Sequence, residues 1–162
     1  MLVGNNIQLR YLELSDLDFL YDIENDEKLW KFGSERHHLS KKVLSEYIYN
    51  AKQDIEVSKQ LRFVIDYKKT PIGMIDLYEY SGRAAGVGVL ILEDYQKRGF
   101  AKESLLLLSD YSFSTLKLKK LFCCIAIENK KSIQLFTSFG FKLKSEIKKV
   151  NYYMQNHLQT LM

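Results

Sequence analysis

The block from residue 84 to residue 105, AAGVGVLILEDYQKRGFAKESL, constrains the fold more than any other part of the chain. Its first nine residues are almost uninterruptedly apolar or glycine, as is typical of a strand buried on both faces of a sheet. A short polar loop containing Gly99 follows, and a helix is predicted from there to about Leu116. Backbone amides at a helix start lack intrahelical partners and carry partial positive charge, which the lysine and arginine there reinforce. This strand–loop–helix unit predicts a binding site for an anion such as a phosphate group.

Further strands are predicted on both sides of this block. Residues 6–14 alternate enough for a first strand, and the segments LRFVIDY and PIGMIDLYEY flank a KKTP turn as in a hairpin. Residues 120–127 form a second run that is apolar on both faces. One or two more strands are expected after Phe141.

Capping residues predict the helices between these strands. Ser15 and Ser40 precede residues with helical apolar spacing, Asn129 begins another helix, and Gly140 ends it. The element order predicts an α/β (α+β) fold, with a mixed, mostly antiparallel central sheet of six to seven strands and helices on both faces. No repeat or linker interrupts the sequence, so we expect a single domain over residues 1–162.

Composition limits the class of protein. The 162 residues are 46% hydrophobic with one proline, which suits one well-buried core. A net charge of +4 with interspersed acidic residues makes a nucleic-acid partner less favoured than a small anionic ligand. We interpret Cys123 and Cys124 as small buried residues in a reducing compartment. The first residues lack the apolar run of a signal peptide, so a cytoplasmic protein without a membrane span is expected.

Three blocks of the sequence, in this order, resemble the GNAT (GCN5-related N-acetyltransferase) family. PIGMIDL is similar to the family's third strand, GVGVLILEDYQKRGFAKESL to its fourth strand, loop and third helix, and IENKKSIQLFTSFGF to its fifth strand and fourth helix. QKRGFA fits the family's pyrophosphate-loop pattern of Arg or Gln, two residues, Gly, one residue, and Gly or Ala. The loop DYQKRGFA is most similar to the branch of spermidine and ribosomal-protein N-acetyltransferases.

The resemblance implies acetyl-CoA as co-substrate. Gly99 would let the backbone approach a pyrophosphate closely, and the amides at the helix start would hold its oxygens. The splayed end of the family's fourth strand would pair with the pantetheine arm. The implied cofactor-binding residues are Leu90, Ile91, Leu92, Gln96, Lys97, Arg98, Gly99, Phe100, Ala101, Lys102, Asn129, Ser132 and Phe136.

Two chemical groups that many family members have are missing from their usual positions. Phe136 lies where those members carry a tyrosine that protonates the leaving thiolate, and phenylalanine has no proton to give. Gly86 lies where those members carry a glutamate that acts as a base or holds a water. Tyr152 or Tyr153 in the tail could replace the missing acid.

Candidate bases lie on the segment similar to the family's third strand. Asp76 and Glu79 match acidic positions of the spermidine-acetylating relatives. Their odd spacing predicts opposite faces of the strand, so that one of them faces the cleft.

The stretch WKFGSERHH lies where the family's variable substrate wall is found. Trp30 and Glu35 are the candidate substrate-binding residues there, because Glu35 could meet a cationic amine. His37 and His38 have no third ligand at a suitable spacing, so no metal is predicted.

We therefore expect an N-acetyltransferase that acts on a primary amine, either a small polyamine-like molecule or a protein amino group, by direct attack of the amine on the thioester. A homodimer through the tail strands is a further expectation. Two alternatives stay open at this point. One is an acyl-CoA-binding module that has lost catalysis, and the other is a basic RNA-associated protein.

Overall fold

One sheet of eight strands forms the centre of the fold. The computed structural model describes residues 1–30, 38–147 and 151–157, except the side chains of the last two residues of the first range. The strands are β1 (Leu2–Val3), β2 (Gln8–Tyr11), β3 (Leu61–Tyr67), β4 (Thr70–Tyr78), β5 (Ala84–Ile91), β6 (Lys120–Ala126), β7 (Lys142–Ile147) and β8 (Asn151–His157). Their order across the sheet is β1-β2-β3-β4-β5-β6-β8-β7.

The pairing in this sheet confirms the mixed, mostly antiparallel arrangement predicted from the sequence. Strands β5 and β6 are parallel, and the other neighbouring strands are antiparallel. The sheet has eight strands where six to seven were expected. The difference is β1, which pairs with β2 through two residues only and is too short to give a periodic signal.

Helices cover both faces of the sheet, as predicted. They are α1 (Leu17–Glu24), α2 (Glu27–Trp30), α3 (Lys41–Asn50), α4 (Ile55–Ser58), α5 (Phe100–Ser114) and α6 (Lys130–Ser138). Apolar residues of α1 and α3 pack with Val64 and Met74, whereas those of α5 and α6 pack with Phe63 and Ile75. Because neighbouring strand residues point to opposite faces, the two clusters define an α1/α3 face and an α5/α6 face. None of the described helices is both long and apolar enough to cross a membrane.

Three of the predicted helix boundaries are confirmed by their hydrogen bonds. The Ser40 hydroxyl accepts from the Val43 N–H at 3.1 Å, and the Asn129 side chain accepts from the Ser132 N–H at 3.3 Å. Gly140 follows α6 with φ of +84°, the left-handed conformation that glycine adopts easily after a helix.

The predicted cap at Ser15 is wrong. Ser15 lies inside a short 3₁₀ turn, and the next residue, Asp16, accepts the Glu13 N–H at 2.9 Å. Arg10 lies 2.8 Å from both Asp16 and Asp66, so the Asp16 carboxylate is fixed by a charge partner on β2. The capping carboxylate of Asp16 is held by Arg10, six residues earlier in the sequence. A capping pattern that considers only the residues at the helix start does not include this partner.

The two cysteines have different environments, so the interpretation that both are buried is wrong for one of them. Cys123 is 1% exposed on the α5/α6 face, whereas Cys124 is exposed. Because they are neighbours on β6, Cys124 must point to the opposite face. Both thiols are free.

Candidate active site

The sheet contains a gap between its two parallel strands. The ladder of β5 and β6 has three pairs, and the last joins Gly86 to Phe122. Strand β5 then continues to Ile91 and β6 to Ala126 without registered partners between them in the described chain. We call this opening the cleft and its closed end, at Gly86 and Phe122, the vertex.

The backbone of β5 supplies the polar groups on one side of the cleft. The Leu92 N–H donates to the Ile72 carbonyl at 2.8 Å, which joins this residue to β4. In an antiparallel ladder the direction of the backbone groups alternates along the strand. The backbone groups of Val89 and Ile91 therefore point into the cleft, and those of Leu90 point to β4.

This register corrects the sequence prediction for the strand. Of the three residues expected to present backbone groups to the cleft, Ile91 does so, whereas the backbone of Leu90 and the N–H of Leu92 face β4. The side chains of these two leucines pack against the apolar cluster of the α1/α3 face. Val89 was missed, because only the pairing of β4 with β5 identifies it.

The loop after β5 ends at the start of α5. Lys97 and Gly99 have φ angles of +62° and +82°, so the chain turns twice through the left-handed region before the helix. The first intrahelical bond runs from the Glu103 N–H to the Gly99 carbonyl at 3.1 Å. The N–H groups of residues 100–102 therefore have no helical partners and can donate hydrogen bonds to an anion. A Cβ on Gly99 would have no atom within 4 Å, so the surface here is open.

Charged and amide side chains surround this helix start. The Arg98 guanidinium lies 5.0 Å from the ring of Phe100 and 5.3 Å from the ring of Tyr67, within the range of cation–π contacts. Gln96 donates to the Ile91 carbonyl at 2.9 Å and lies 3.5 Å from Lys131 of α6. The loop thus bridges the open end of the cleft and brings basic side chains to it.

Other residues predicted to contact the cofactor lie at different depths. Lys97 and Lys102 are exposed, and Ala101 is half-buried. The ring of Phe136 is 3% exposed and packs at 5.0 Å against Phe141 in the core of the α5/α6 face. Contact of Phe136 with a cofactor stays a prediction.

The Asp76 carboxylate lies beside the cleft on the α1/α3 face. It is directly opposite Gly88, and its Oδ1 lies 2.8 Å from the position that a Cβ on Gly88 would take. The missing side chain of Gly88 thus lets the carboxylate lie across β5. Burial raises the pKa of Asp76 to about 6, although the nearby Arg62 charge opposes this shift.

Arg62 pairs with Glu24 and does not form a close ion pair with Asp76. It is the register partner of Asp76 on β3, yet its guanidinium bonds to Glu24 of α1 at 2.8 Å. Its Nε atom is buried and has no hydrogen-bond partner among the described residues. The cation therefore influences Asp76 through space and stays bound to α1.

The prediction that Glu79 lies on the same strand as Asp76 and points to the opposite face of the sheet is wrong. Strand β4 ends at Tyr78, and Glu79 follows it with φ of +49° and an exposed side chain. Strand alternation therefore does not apply to it. Its charge is close enough to raise the pKa of the Cys124 thiol, after the larger effect of burial.

Tyr78 is a residue at the vertex that the sequence motifs did not single out. It pairs with Gly86, and a Cβ on Gly86 would overlap the Tyr78 ring. The ring meets Phe122 of β6 edge to face at 5.8 Å. The side chain therefore crosses β5 from β4 to β6, which the absence of a side chain at Gly86 permits.

We expect Gly86→Ala to destabilise the protein by about 1–3 kcal/mol, because the new methyl group overlaps the rings of Tyr78 and Phe122. Gly88→Ala is the matched control, since its methyl group meets only the movable end of Asp76. Urea unfolding of both variants measures the difference. Equal stability losses would contradict the assigned packing of Tyr78.

The two tail tyrosines lie on opposite faces of β8. Tyr152 packs against the core of the α5/α6 face. The Tyr153 ring lies 5.7 Å from Phe122 on the other face, and its hydroxyl accepts from Gln155 at 2.8 Å. Phe122 therefore separates Tyr153 from Tyr78.

The predicted substrate wall is described only in part. Trp30 ends α2, but its side chain and the whole of Glu35 lie outside the described residues, as does His37. Within the described part of the chain, no group of three or more His, Cys, Asp or Glu side chains is arranged to hold a metal ion.

Comparison with known proteins identifies the family. The model of the acetyltransferase (GNAT) domain matches residues 6–142, and the chain belongs to this family. It is 32% identical over 142 residues to a spermidine N(1)-acetyltransferase of Vibrio cholerae, which covers 86% of this chain and 80% of that protein. It is 28% identical to the Escherichia coli K12 spermidine N(1)-acetyltransferase over 146 residues, covering 89% and 77%.

Solved structures agree with this result. The crystal structure of the Vibrio cholerae spermidine N-acetyltransferase in complex with CoA and spermine gives a TM-score of 0.88 at 25% identity, over 98% of this chain and 99% of that one. A dodecameric structure of the Vibrio cholerae spermidine N-acetyltransferase gives 0.80 at 27% identity, over 95% of each chain. The protein is an acetyl-CoA-dependent N-acetyltransferase that acetylates a primary amine.

Proposed function

We propose that this chain acetylates a primary amine of a polyamine such as spermidine, with Asp76 as the general base. The observation that carries the proposal is the Asp76 carboxylate beside the cleft, without a close ion-pair partner among the described residues and with a pKa raised to about 6. The names of the relatives with 32% and 28% identity support the choice of acceptor.

The raised pKa suits both parts of this role. A polyamine arrives as an ammonium ion, and attack on a carbonyl carbon requires the free amine. At neutral pH Asp76 is mainly a carboxylate, which attracts the cation and then accepts its proton, directly or through one water. A carboxylate paired with arginine would have a lower pKa and would be a weaker base. The bond of Arg62 to Glu24 avoids that pairing.

The acetyl-CoA site follows from the cleft and the loop. We propose that the amides of residues 100–102, with Lys97 and Lys102, bind the phosphates. The cleft-facing backbone of Val89 and Ile91 would pair with the pantetheine arm, and Asn129 and Ser132 would contact it. The missing side chain of Gly99 and the unpaired helix amides fit a phosphate, because they present N–H groups on an open surface.

Two further proposals concern surroundings and assembly. Free thiols at positions 123 and 124 suit a reducing compartment, which supports a cytoplasmic location.

The side chains of β7 are exposed along its whole length, and it is an edge strand of the described sheet. This supports self-association through the tail strands, and one relative has been described as dodecameric. Trp30 and Glu35 remain candidates for contact with the acceptor.

A panel of amines with acetyl-CoA tests the acceptor, with free thiol release and acetylated product as the readouts. We expect spermidine and spermine to be acetylated with kcat/KM roughly tenfold or more above that of a peptide with a free N-terminal amine, a difference of about 1.4 kcal/mol. Spermidine acetylated at both primary amines is the matched control and should give no product. Preferential acetylation of the peptide would replace the polyamine proposal with the protein amino group.

A further inference from the structure

The two faces of the sheet differ beside the cleft, because α6 carries Phe136 on one face and β4 carries Tyr78 on the other. On the α5/α6 face, α6 carries Phe136, which is buried and has no proton to donate. On the α1/α3 face, Tyr78 lies across Gly86 and reaches Phe122 of β6. Gly86 and Phe122 form the last pair before β5 and β6 separate. The phenol therefore lies where the cleft begins.

Neighbouring groups keep this phenol protonated. Burial raises the pKa of Tyr78 far above its usual value, and the charges of Cys124, Cys123 and Asp76 add to the shift. The backbone of Cys124 interacts with the hydroxyl and lowers the pKa slightly. This interaction does not outweigh burial, so the phenol stays protonated and has a proton to donate.

Distances along β5 connect this hydroxyl with the phosphate loop. Five residues separate Ile91, at the loop, from Gly86, at the vertex. At about 3.3 Å per residue this is roughly 17 Å. A ligand whose phosphates lie at the helix start and whose arm follows β5 therefore has its far end near the vertex. Asp76 and Tyr78, two residues apart on β4, both lie over this part of β5.

We propose that Tyr78 is a catalytic residue, whose hydroxyl donates a hydrogen bond and then its proton to the sulfur that leaves in the acetyl transfer. This inference rests on the reaction proposed above. The amine lone pair forms the N–C bond, the C–S bond breaks, and its electron pair goes to sulfur, which takes the Tyr78 proton. Asp76 first passes the proton of the ammonium ion to water. The second proton, which nitrogen loses after the attack, then goes to Asp76 and returns to the Tyr78 oxygen through water. Tyr78 thus supplies the donor that Phe136 lacks.

Tyr78→Phe tests this role, because it removes the hydroxyl and keeps the ring. We expect kcat to fall roughly tenfold or more, the lower part of the usual effect of a general acid. The KM for acetyl-CoA and the rise in melting temperature with acetyl-CoA should stay unchanged. Tyr80→Phe is the matched control, since it removes a phenol hydroxyl bonded to Glu56 away from the cleft.

A second substitution separates a proton donor from a structural role. Phe136→Tyr adds a phenol hydroxyl to α6 on the α5/α6 face, at the position where many family members carry a tyrosine. In the Tyr78→Phe background it should restore most of the lost rate, a coupling that a purely structural effect of Tyr78 would not produce. An unchanged kcat in Tyr78→Phe, or no restoration by Phe136→Tyr, would overturn the proposal.

A binding measurement tests the same contact without turnover. A donor aimed at sulfur favours the thiolate, so the affinity for CoA should increase from about pH 7 to about pH 9, through the usual range of thiol ionisation. CoA methylated at sulfur should show no such increase. Tyr78→Phe should remove the difference between the two ligands. If the difference between the two ligands persists in Tyr78→Phe, the proposal for Tyr78 is overturned, whether or not an amine is acetylated. A failure to acetylate any amine would instead concern the proposed acceptor alone.

Discussion

Gly99→Glu is expected to abolish acetyl-CoA binding and with it the rise in melting temperature that the ligand produces. A ligand that binds only the native state at 100 times its Kd stabilises the protein by about 2.7 kcal/mol. Gly99 begins α5 beside the unpaired amides of residues 100–102. A glutamate there offers its own carboxylate to these amides and repels the phosphates.

Two variants separate charge from backbone strain in this test. Gly82 has the same φ of +82° and the same open surroundings as Gly99. Gly82→Glu should therefore show a similar loss of stability, about 1 kcal/mol, while the acetyl-CoA effect is kept. Gly99→Gln adds the bulk without the charge and should weaken binding less. A melting shift that persists in Gly99→Glu would show that the phosphates lie elsewhere.

The parts of the site that local sequence determines could be predicted well. The buried strand, the loop with Gly99 and the following helix are continuous in sequence, so the sequence alone predicts their order and the glycine at the helix start. The caps at Ser40 and Asn129 are equally local, since each side chain bonds to an amide three residues away. Such features need no knowledge of which strands are neighbours.

The failures concern contacts between strands that are distant in sequence. Val89 and Tyr78 acquire their roles from the register of β4 with β5, which single-sequence periodicity does not determine. Glu79 was misplaced because its own left-handed backbone conformation ends β4 at Tyr78. The burial of Cys124 was predicted wrongly, because a strand with apolar residues on both faces is not always covered by other residues on both faces.

Gly86 and Gly88 illustrate the same limit in one place. The sequence shows two glycines in a buried strand, which indicates a close approach by some other group. Only the pairing shows that the approaching groups are the side chains of Tyr78 and Asp76. The glycine at position 86 therefore makes space for the side chain of Tyr78 from the neighbouring strand.

Asp76→Asn is expected to lower kcat for polyamine acetylation roughly a hundredfold, the lower end of the range for loss of a general base. In the parent, activity should increase as pH rises through about 6, the pKa to which burial raises Asp76. That step should be missing in Asp76→Asn, which leaves only the later increase due to deprotonation of the amine. Initial rates from about pH 5 to about pH 9 measure both effects.

The same substitution should raise stability at neutral pH. The pKa of Asp76 is higher in the folded chain, about 6, than its ordinary value of 3.8, so the folded state binds the proton more tightly. The contribution of Asp76 to stability is therefore largest below its ordinary pKa and is lost as pH rises through the folded pKa. Asp76→Asn removes this penalty, and its free energy of unfolding well above pH 6 should exceed that of the parent by on the order of 3 kcal/mol.

Glu79→Gln tests the alternative that Glu79 is the general base, because it neutralises the other candidate carboxylate. If Glu79 were the base, its variant would lose the rate and the step near pH 6, and Asp76→Asn would keep both. A variant of Asp76 that lost activity together with stability would indicate a structural role for the carboxylate. Reduced rate with increased stability is the combination expected of a charge that is kept in a costly position for its chemistry.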